Sequence, residues 1–312
     1  MILALDLGGT KLSGALFSSS GDRMAKKYTL LQGRQGHQVG ELILQVIRGY
    51  LQEYPGKIQG LGLAVPGISR QNSGTVWAPN IPGWDDYPLL QIIKEAFPVL
   101  PVWMDSDRAC SVLGEVWQGH AQGCRDAIFL AVGTGIGAGI LCDGRVVRGH
   151  ADIAGAIGWM AMDRPYNLKY QACGCYEYHA SGDGIAKVAL DLLASSSAPS
   201  SLRLRPTLTS HDVFLAFKND DPIARETIRQ AIEFWGMACA NLVSLFNPEK
   251  IIFGGGVFGP ALPLLPDIYA EASRWAQPVS IQQVSFIPSK LGHEANLFGA
   301  AYLSLKNSNA NV

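Results

Sequence analysis

The chain reads as an α/β protein made of two related halves. Two observations lead there. A short apolar run, a glycine turn and a second apolar run occur at residues 2–18 and again at 127–142, and such self-similarity about one domain length apart points to two units of one design. Between these runs lie long segments with apolar residues at helical spacing and short buried-type strands.

The elements follow in order. Ile2 to Leu5 are apolar and stop at Asp6; Gly8-Gly9-Thr10 makes a turn, and residues 12–18 resume strand-like composition. Another strand is expected over 24–31. Residues 38–53 carry Val39, Leu42, Ile43, Val46, Ile47, Tyr50 and Leu51, the stripe of an amphipathic helix. Residues 58–65 read as a buried strand halted by Pro66-Gly67. A strand is expected over 100–105, and Ser106 can cap a helix carrying Ala109, Val112, Leu113, Val116 and Trp117 on one face. Ile128 to Val132, Gly133-Thr134-Gly135-Ile136-Gly137 and Ala138 to Leu141 form the second strand–turn–strand. Residues 176–194 read as a helix and the Ser/Pro-rich 195–210 as a loop. Pro222 opens a long helix lined by Ile228, Ile232, Trp235, Cys239, Leu242 and Phe246 and ended by Asn247-Pro248. Ile251-Ile252-Phe253 runs into Gly254-Gly255-Gly256, and helices are expected over 261–275 and 294–305.

Composition narrows the function classes. Of 312 residues 48% are hydrophobic and only 16% charged, the reverse of a disordered chain. The formal net charge of −1 argues against a globally basic nucleic-acid binder. The apolar stretch from Ala127 to Cys142 is shorter than the ~20 residues of a membrane helix and is broken by Gly133, Gly135, Gly137 and Gly139. No signal peptide is visible at Met1. Six scattered cysteines fit reduced thiols in a cytoplasmic protein. No nucleic-acid or membrane partner is expected.

Glycine turns after strands let backbone N–H groups approach a phosphate with no Cβ in the way. A lone Gly-Gly pair would read as a plain hairpin. Three such turns, two carrying a threonine hydroxyl and one following Asp6, point to phosphate binding. There is no Gly-x-x-x-x-Gly-Lys-Ser/Thr run, and Gly133 to Gly139 flows into a strand, which departs from the dinucleotide fingerprint.

The order Asp6-Leu7-Gly8-Gly9-Thr10-Lys11, Gly133-Thr134-Gly135-Ile136-Gly137, Gly254-Gly255-Gly256 and Gly299-Ala300-Ala301 resembles the sugar kinases of the ROK family, from Ile2 to about Leu305. The resemblance implies an actin-like ATPase (ribonuclease-H-like) fold: two α/β domains around a cleft that closes during catalysis. It places a smaller domain at 1–118 with about 293–312 and a larger one at 119–292. It also implies ATP, magnesium, a sugar substrate and a homodimer. Asp6 would orient the magnesium, directly or through water. Gly8, Gly9, Thr10 and Lys11, with Gly133, Thr134, Gly135 and Gly137, would clasp the phosphates. Gly254, Gly255 and Gly256 would pack near adenosine. The family's catalytic aspartate lies in an Asn-Asp pair ahead of Leu-Gly-Glu; here Leu113-Gly114-Glu115 is intact and the pair reads Ser106-Asp107, which makes Asp107 the candidate general base and sets both Ser106 and Asp107 against the sugar. A carboxylate in the first turn of a helix is also a routine cap, and Asp105 is the residue most easily confused with it.

The sugar half departs from the pattern. The family's Gly-Glu-Ile-Gly-His is Gly155-Ala156-Ile157-Gly158-Trp159 here. Ala156 accepts no hydrogen bond, and an indole N–H only donates, so Trp159 binds no metal. The family's zinc motif is eroded: its first two cysteines fall at Leu168 and Tyr170, and Cys173, Cys175 and His179 leave at most three ligands where a structural zinc needs four. No zinc is expected, with the 163–175 loop held by Tyr and Trp packing instead. Glu177 survives and would bind sugar hydroxyls; Asn80 matches a position near the sugar or serves as a turn residue. Trp159 would stack on a sugar or fill space. The expected activity is ATP-dependent phosphorylation of a hexose or amino sugar. The alternative is a non-catalytic sugar or nucleotide sensor. A DNA-binding regulator is disfavoured, because its extra domain would precede a glycine motif that starts six residues from Met1.

Overall fold

A computed structural model describes residues 1–309 and divides the chain into two compact units. The first comprises Met1–Gly123, Val146–Ala154 and the segment from Lys290; the second comprises Cys124–Arg145 and Gly155–Ser289.

In the first unit, β1 (Ile2–Leu7), β2 (Lys11–Phe17) and β3 (Arg23–Leu30) form an antiparallel meander. Then come α1 (His37–Glu53), β4 (Gly60–Val65), a small hairpin of β5 (Ile68–Ser69) and β6 (Val76–Trp77), α2 (Leu89–Ala96), β7 (Val102–Ser106) and α3 (Asp107–Gln118). The sheet order is β3-β2-β1-β4-β7, with β4 parallel to both β1 and β7. Alternation along β1 decides which residue meets which layer. Leu3, Leu5 and Leu7 join Val39, Ile43 and Ile47 of α1 in one core, whereas Ile2 and Ala4 face the other way, against Cys110 and Ala300. Asp6 shares the parity of Ile2 and Ala4.

In the second unit, β8 (Ala127–Val132), β9 (Ile136–Cys142) and the first residue of the two-residue β10 (Arg145–Val146) are followed by α4 (Cys175–Ala180), α5 (Gly182–Ser195), α6 (Ser210–Lys218) and α7 (Pro222–Phe246). The unit continues with β11 (Lys250–Gly254), α8 (Leu265–Trp275), α9 (Pro278–Ile281) and β12 (Ser285–Pro288). Its sheet order is β10-β9-β8-β11-β12. The C-terminal helix, α10 (Ala295–Asn309), belongs to the first unit.

The long periodic elements lie where the sequence predicts them. The single helix expected at 176–194 is two, because Ser181 turns extended and caps α5, accepting from Gly184 N at 2.9 Å. The 195–210 loop contains a 3-10 turn at Ser201–Leu204, pinned by the Asp221 carboxylate that also caps α7. The short α6, α9 and β12 and the β5–β6 hairpin are too brief for periodicity to announce, and α2 carries a helical stripe at Leu89, Ile92, Ile93 and Ala96 over only eight residues. Among the described residues no helix is long and apolar enough to cross a membrane.

Three glycines let α10 settle onto backbone. A Cβ at Gly62 would run into Ala300 O, one at Gly299 into Cys110 O, and one at Gly114 into Ala295 O. The Gly299-Ala300-Ala301 motif is therefore a packing device joining α10 to α3 and β4.

Candidate functional site

The first unit gathers Asp6, the Gly8–Lys11 turn, Asn80 and Asp107. Asp6 ends β1. Beyond it Gly8 N donates to Lys11 O at 2.9 Å, which closes the turn and leaves Gly9, Thr10 and Lys11 exposed. A Cβ at Gly9 would come within 3.2 Å of the Asn80 side-chain amide, so Asn80 sits over the turn. Burial pushes the Asp6 carboxyl up to about 6; the neighbouring Asp107 charge adds to the shift, and a hydrogen bond from Asn296 and the Lys11 charge oppose it.

Asp107 opens α3, but it does not cap it. Ser106 does, its hydroxyl accepting from Ala109 N at 3.3 Å. The Asp107 carboxylate accepts from the Arg108 backbone N–H at 2.8 Å. Burial raises its pKa, and the Arg108 charge opposes that rise. Arg108 itself donates to Gly67 O at 3.0 Å. Asp105 is a different case. It is 2% exposed, ion-paired with Arg148 and bonded to Ser106 N at 2.8 Å. Its carboxylate is consumed by structure, which separates the two aspartates that sequence alone leaves confusable.

The second unit holds a cavity of about 450 Å³. Gly133 and Thr134 line it from the β8–β9 turn, Asp183 from the start of α5, Thr209 and Ser210 from the start of α6, and Gly256 from the turn after β11. The turn is tied down by Gly182 N donating to Gly133 O at 2.7 Å. The glycines divide by purpose. A Cβ at Gly133 or Gly256 would meet nothing within 4 Å. At Gly254 it would strike the Phe129 ring; at Gly255, with φ of 91°, it would strike the Val132 backbone. Gly137 lies within β9, paired with Ala131. A Cβ at Gly135 would lie 2.7 Å from the Glu177 carboxylate, whose Oε2 accepts from Ile136 N at 2.7 Å. Glu177 thus braces the glycine turn, half-buried, with its carboxyl raised by burial. Trp159, on the turn after Ala156, is 59% exposed and fills no interior space.

The loop before α4 is held by tyrosine chemistry. Tyr170 is 4% exposed, and its hydroxyl lies 2.7 Å from Asp163 and 2.9 Å from His179 Nε2. Asp163 is held ionised below the usual carboxylate range, so Tyr170 donates to it and accepts from His179 Nε2–H. His179 stacks on Phe234 with ring centroids 4.1 Å apart, and burial pushes its pKa down to about 4. Its Nδ1 is buried without a partner. Among the described residues no group of three or more His, Cys, Asp or Glu is placed to hold a metal. Tyr170 does the holding expected of Tyr and Trp together, while Trp159 stays outside.

Four contributors escape sequence reading: Arg108, Ser111, Arg148 and Asn296. Each acts on a partner chosen by the fold, and Asn296 reaches Asp6 from 290 positions away. Nothing local marks them.

Comparisons with known proteins place the chain in a family. The chain is 31% identical to a glucokinase of Halalkalibacterium halodurans, over 99% of this chain and 96% of that one. It is also 31% identical to a xylose repressor of Caldicellulosiruptor bescii, over 81% of this chain and 65% of the repressor. A ROK family glucokinase from Streptomyces griseus, solved in complex with glucose and AMPPNP, superposes with a TM-score of 0.78 at 25% identity, covering 98% of this chain and 99% of the other. The fold is the actin-like ATPase fold of these proteins. With its family's sequence pattern matched across residues 2–307, the chain belongs to the ROK family.

Proposed function

We propose that the protein is an ATP-dependent sugar kinase, transferring the γ-phosphoryl group to a hydroxyl of a hexose or amino sugar with Asp107 as general base. The observation that carries this reading is the division of labour at the start of α3: Ser106 caps the helix, and the Asp107 carboxylate is left for other work. Phosphoryl transfer asks for an aligned hydroxyl, a carboxylate to take its proton and neutralisation of phosphate charge. Asp107 takes the proton, and the Arg108 charge favours the ionised form it needs for that.

Asp6 suits a magnesium ion. It is a hard oxygen donor, and its raised pKa marks a buried negative charge that the protein leaves incompletely offset. Bound there, magnesium would neutralise phosphate charge. The second unit supplies the nucleotide-binding face, its open positions at Gly133 and Gly256 giving room for phosphate oxygens and Thr134 and Ser210 offering hydroxyls. Asn80 and Glu177 are assigned to sugar hydroxyls. With Ala156 and Trp159 at two further positions, selectivity differs from that of gluco-configured hexose kinases, since a lost buried acceptor penalises the hydroxyl it would have served.

A second reading, a sensor without turnover, draws on the xylose repressor among the relatives and on those same substitutions. A coupled ADP-release assay with Mg·ATP separates the two. Glucose, mannose, fructose, allose, N-acetylglucosamine and N-acetylmannosamine form the panel, with Asp107→Asn beside the wild type. Turnover on one sugar, lost in the variant, is the expected result. Silence across the panel with nucleotide still bound favours the sensor.

A further inference from the structure

We propose that Asn296 is a positioning residue that orients Asp6 for its cation and ties that orientation to the base of helix α3. The inference rests on the reading of Asp6 as the cation's ligand. Asn296 lies in the first turn of α10. Its Nδ2 donates to Asp6 Oδ1 at 3.3 Å. Its Oδ1 receives the Ser111 hydroxyl at 2.5 Å, and that hydroxyl also lies 2.9 Å from the Asp107 carbonyl oxygen. The chain Asp107 carbonyl–Ser111–Asn296–Asp6 therefore links three elements, α3, α10 and β1.

The amide has only one workable orientation. An ionised carboxylate only accepts, so Asp6 takes the NH2 side of the amide, and the Ser111 hydroxyl has one proton to place between the Asn296 and Asp107 oxygens. Turning the amide over would set its carbonyl against the Asp6 carboxylate, two acceptors with no proton between them. The Asn296 bond occupies Asp6 Oδ1 and leaves Oδ2 for the cation. Groups that hold a metal ligand in place typically cost 10–100-fold in metal affinity when removed.

The support is rigid. Gly299 brings α10 onto the Cys110 carbonyl, and Gly114 brings α3 onto the Ala295 carbonyl, one residue from Asn296. Ser111 is 5% exposed. Asn296 thus has little freedom to rotate away, and the first turn of α10 acts as a fixed bracket behind Asp6.

The test uses the whole protein and Mn2+ as the probe, free Mn2+ being read by electron paramagnetic resonance at saturating ADP. ADP affinity without metal and the melting temperature are measured in parallel. Asn296→Leu keeps the volume and removes the amide; Asn296→Ala removes both. Both are expected to bind Mn2+ about tenfold more weakly, with metal-free ADP affinity within about twofold of wild type. Ser111→Ala is expected to show a smaller loss of the same kind. If both Asn296 variants bind Mn2+ as the wild type does, the proposal is overturned while the kinase reading stands. If ADP affinity falls in step with Mn2+ affinity, the role is structural and the proposal is likewise overturned. A wild type that binds no Mn2+ overturns the reading of Asp6 and this proposal together.

Discussion

The two units share a frame and differ in what they hang on it. Each has a five-stranded sheet in which an antiparallel hairpin is extended by two parallel strands, β1–β2 with β4 and β7, and β8–β9 with β11 and β12. The fifth residue of the leading strand is Asp6 in one and Ala131 in the other. Asp6 pairs with Ser13 and Ala64, and Ala131 with Gly137 and Gly254. At one position of one design, then, the first unit keeps a carboxylate and the second keeps only small residues. The first unit adds Asp107; the second adds hydroxyls and open glycines around a cavity. On the proposed reading, a duplicated scaffold of this kind separates reacting from holding.

That contrast can be broken by experiment. If reaction chemistry resides in the first unit, Asp107→Asn should lower kcat by roughly 10²–10⁴ while sugar and nucleotide affinities stay close to wild type. Steady-state kinetics beside binding titrations read the split, and a loss expressed only in KM would erase the distinction.

A support of the second unit predicts a pH effect on stability. His179 has its folded pKa near 4, against 6.5 for an ordinary histidine. Between those values the unfolded chain binds more protons than the folded one, so this contribution is complete above about pH 6.5 and is lost as pH falls toward 4. Its ceiling is about 3 kcal/mol, at roughly 1.4 kcal/mol per pKa unit. Urea unfolding at pH 7 and pH 4.5 should show the wild type losing more stability than His179→Phe; equal losses would show that the ring's neutrality contributes nothing.

If the second unit holds the nucleotide, Gly133→Ala should weaken nucleotide binding by about tenfold, or about 1.4 kcal/mol, with an unchanged melting temperature. The added methyl meets no protein atom, so a fall in stability would contradict the cradle. The smallest effect belongs to the cap. Ser106→Ala should cost about 1 kcal/mol of stability, and a normal kcat in that variant would confirm that capping and proton transfer belong to adjacent residues.

How far the sequence speaks for itself follows the range of each interaction. Strand, turn and helix signals are local, and the glycine turns, α1 and α7 stand where spacing puts them. The Ser106 cap is legible for the same reason. Asn296, Arg148 and Ser111 carry no local mark, because their meaning lies in partners brought near by the fold. Nothing within Val146–Ala154 shows that this stretch packs with the first unit. Glycine content is also ambiguous when read alone. Gly254 and Gly255 have the look of phosphate binders and are required by packing against Phe129 and Val132, whereas Gly133 and Gly256 leave open space. Their sequence contexts do not differ in a way that would sort them.

The placement of α10 has a consequence for how the molecule comes into being. The chain emerges from synthesis in order, and α10 follows every residue of the second unit. Until it is made, Gly62 and Gly114 have no backbone to receive, and Asp6 lacks its Asn296 bond. The first unit, begun earliest, is thus finished last. A nascent or prematurely ended chain would present Asp6 and Asp107 without the helix that sets them, so completeness of translation is built into the carboxylate pair.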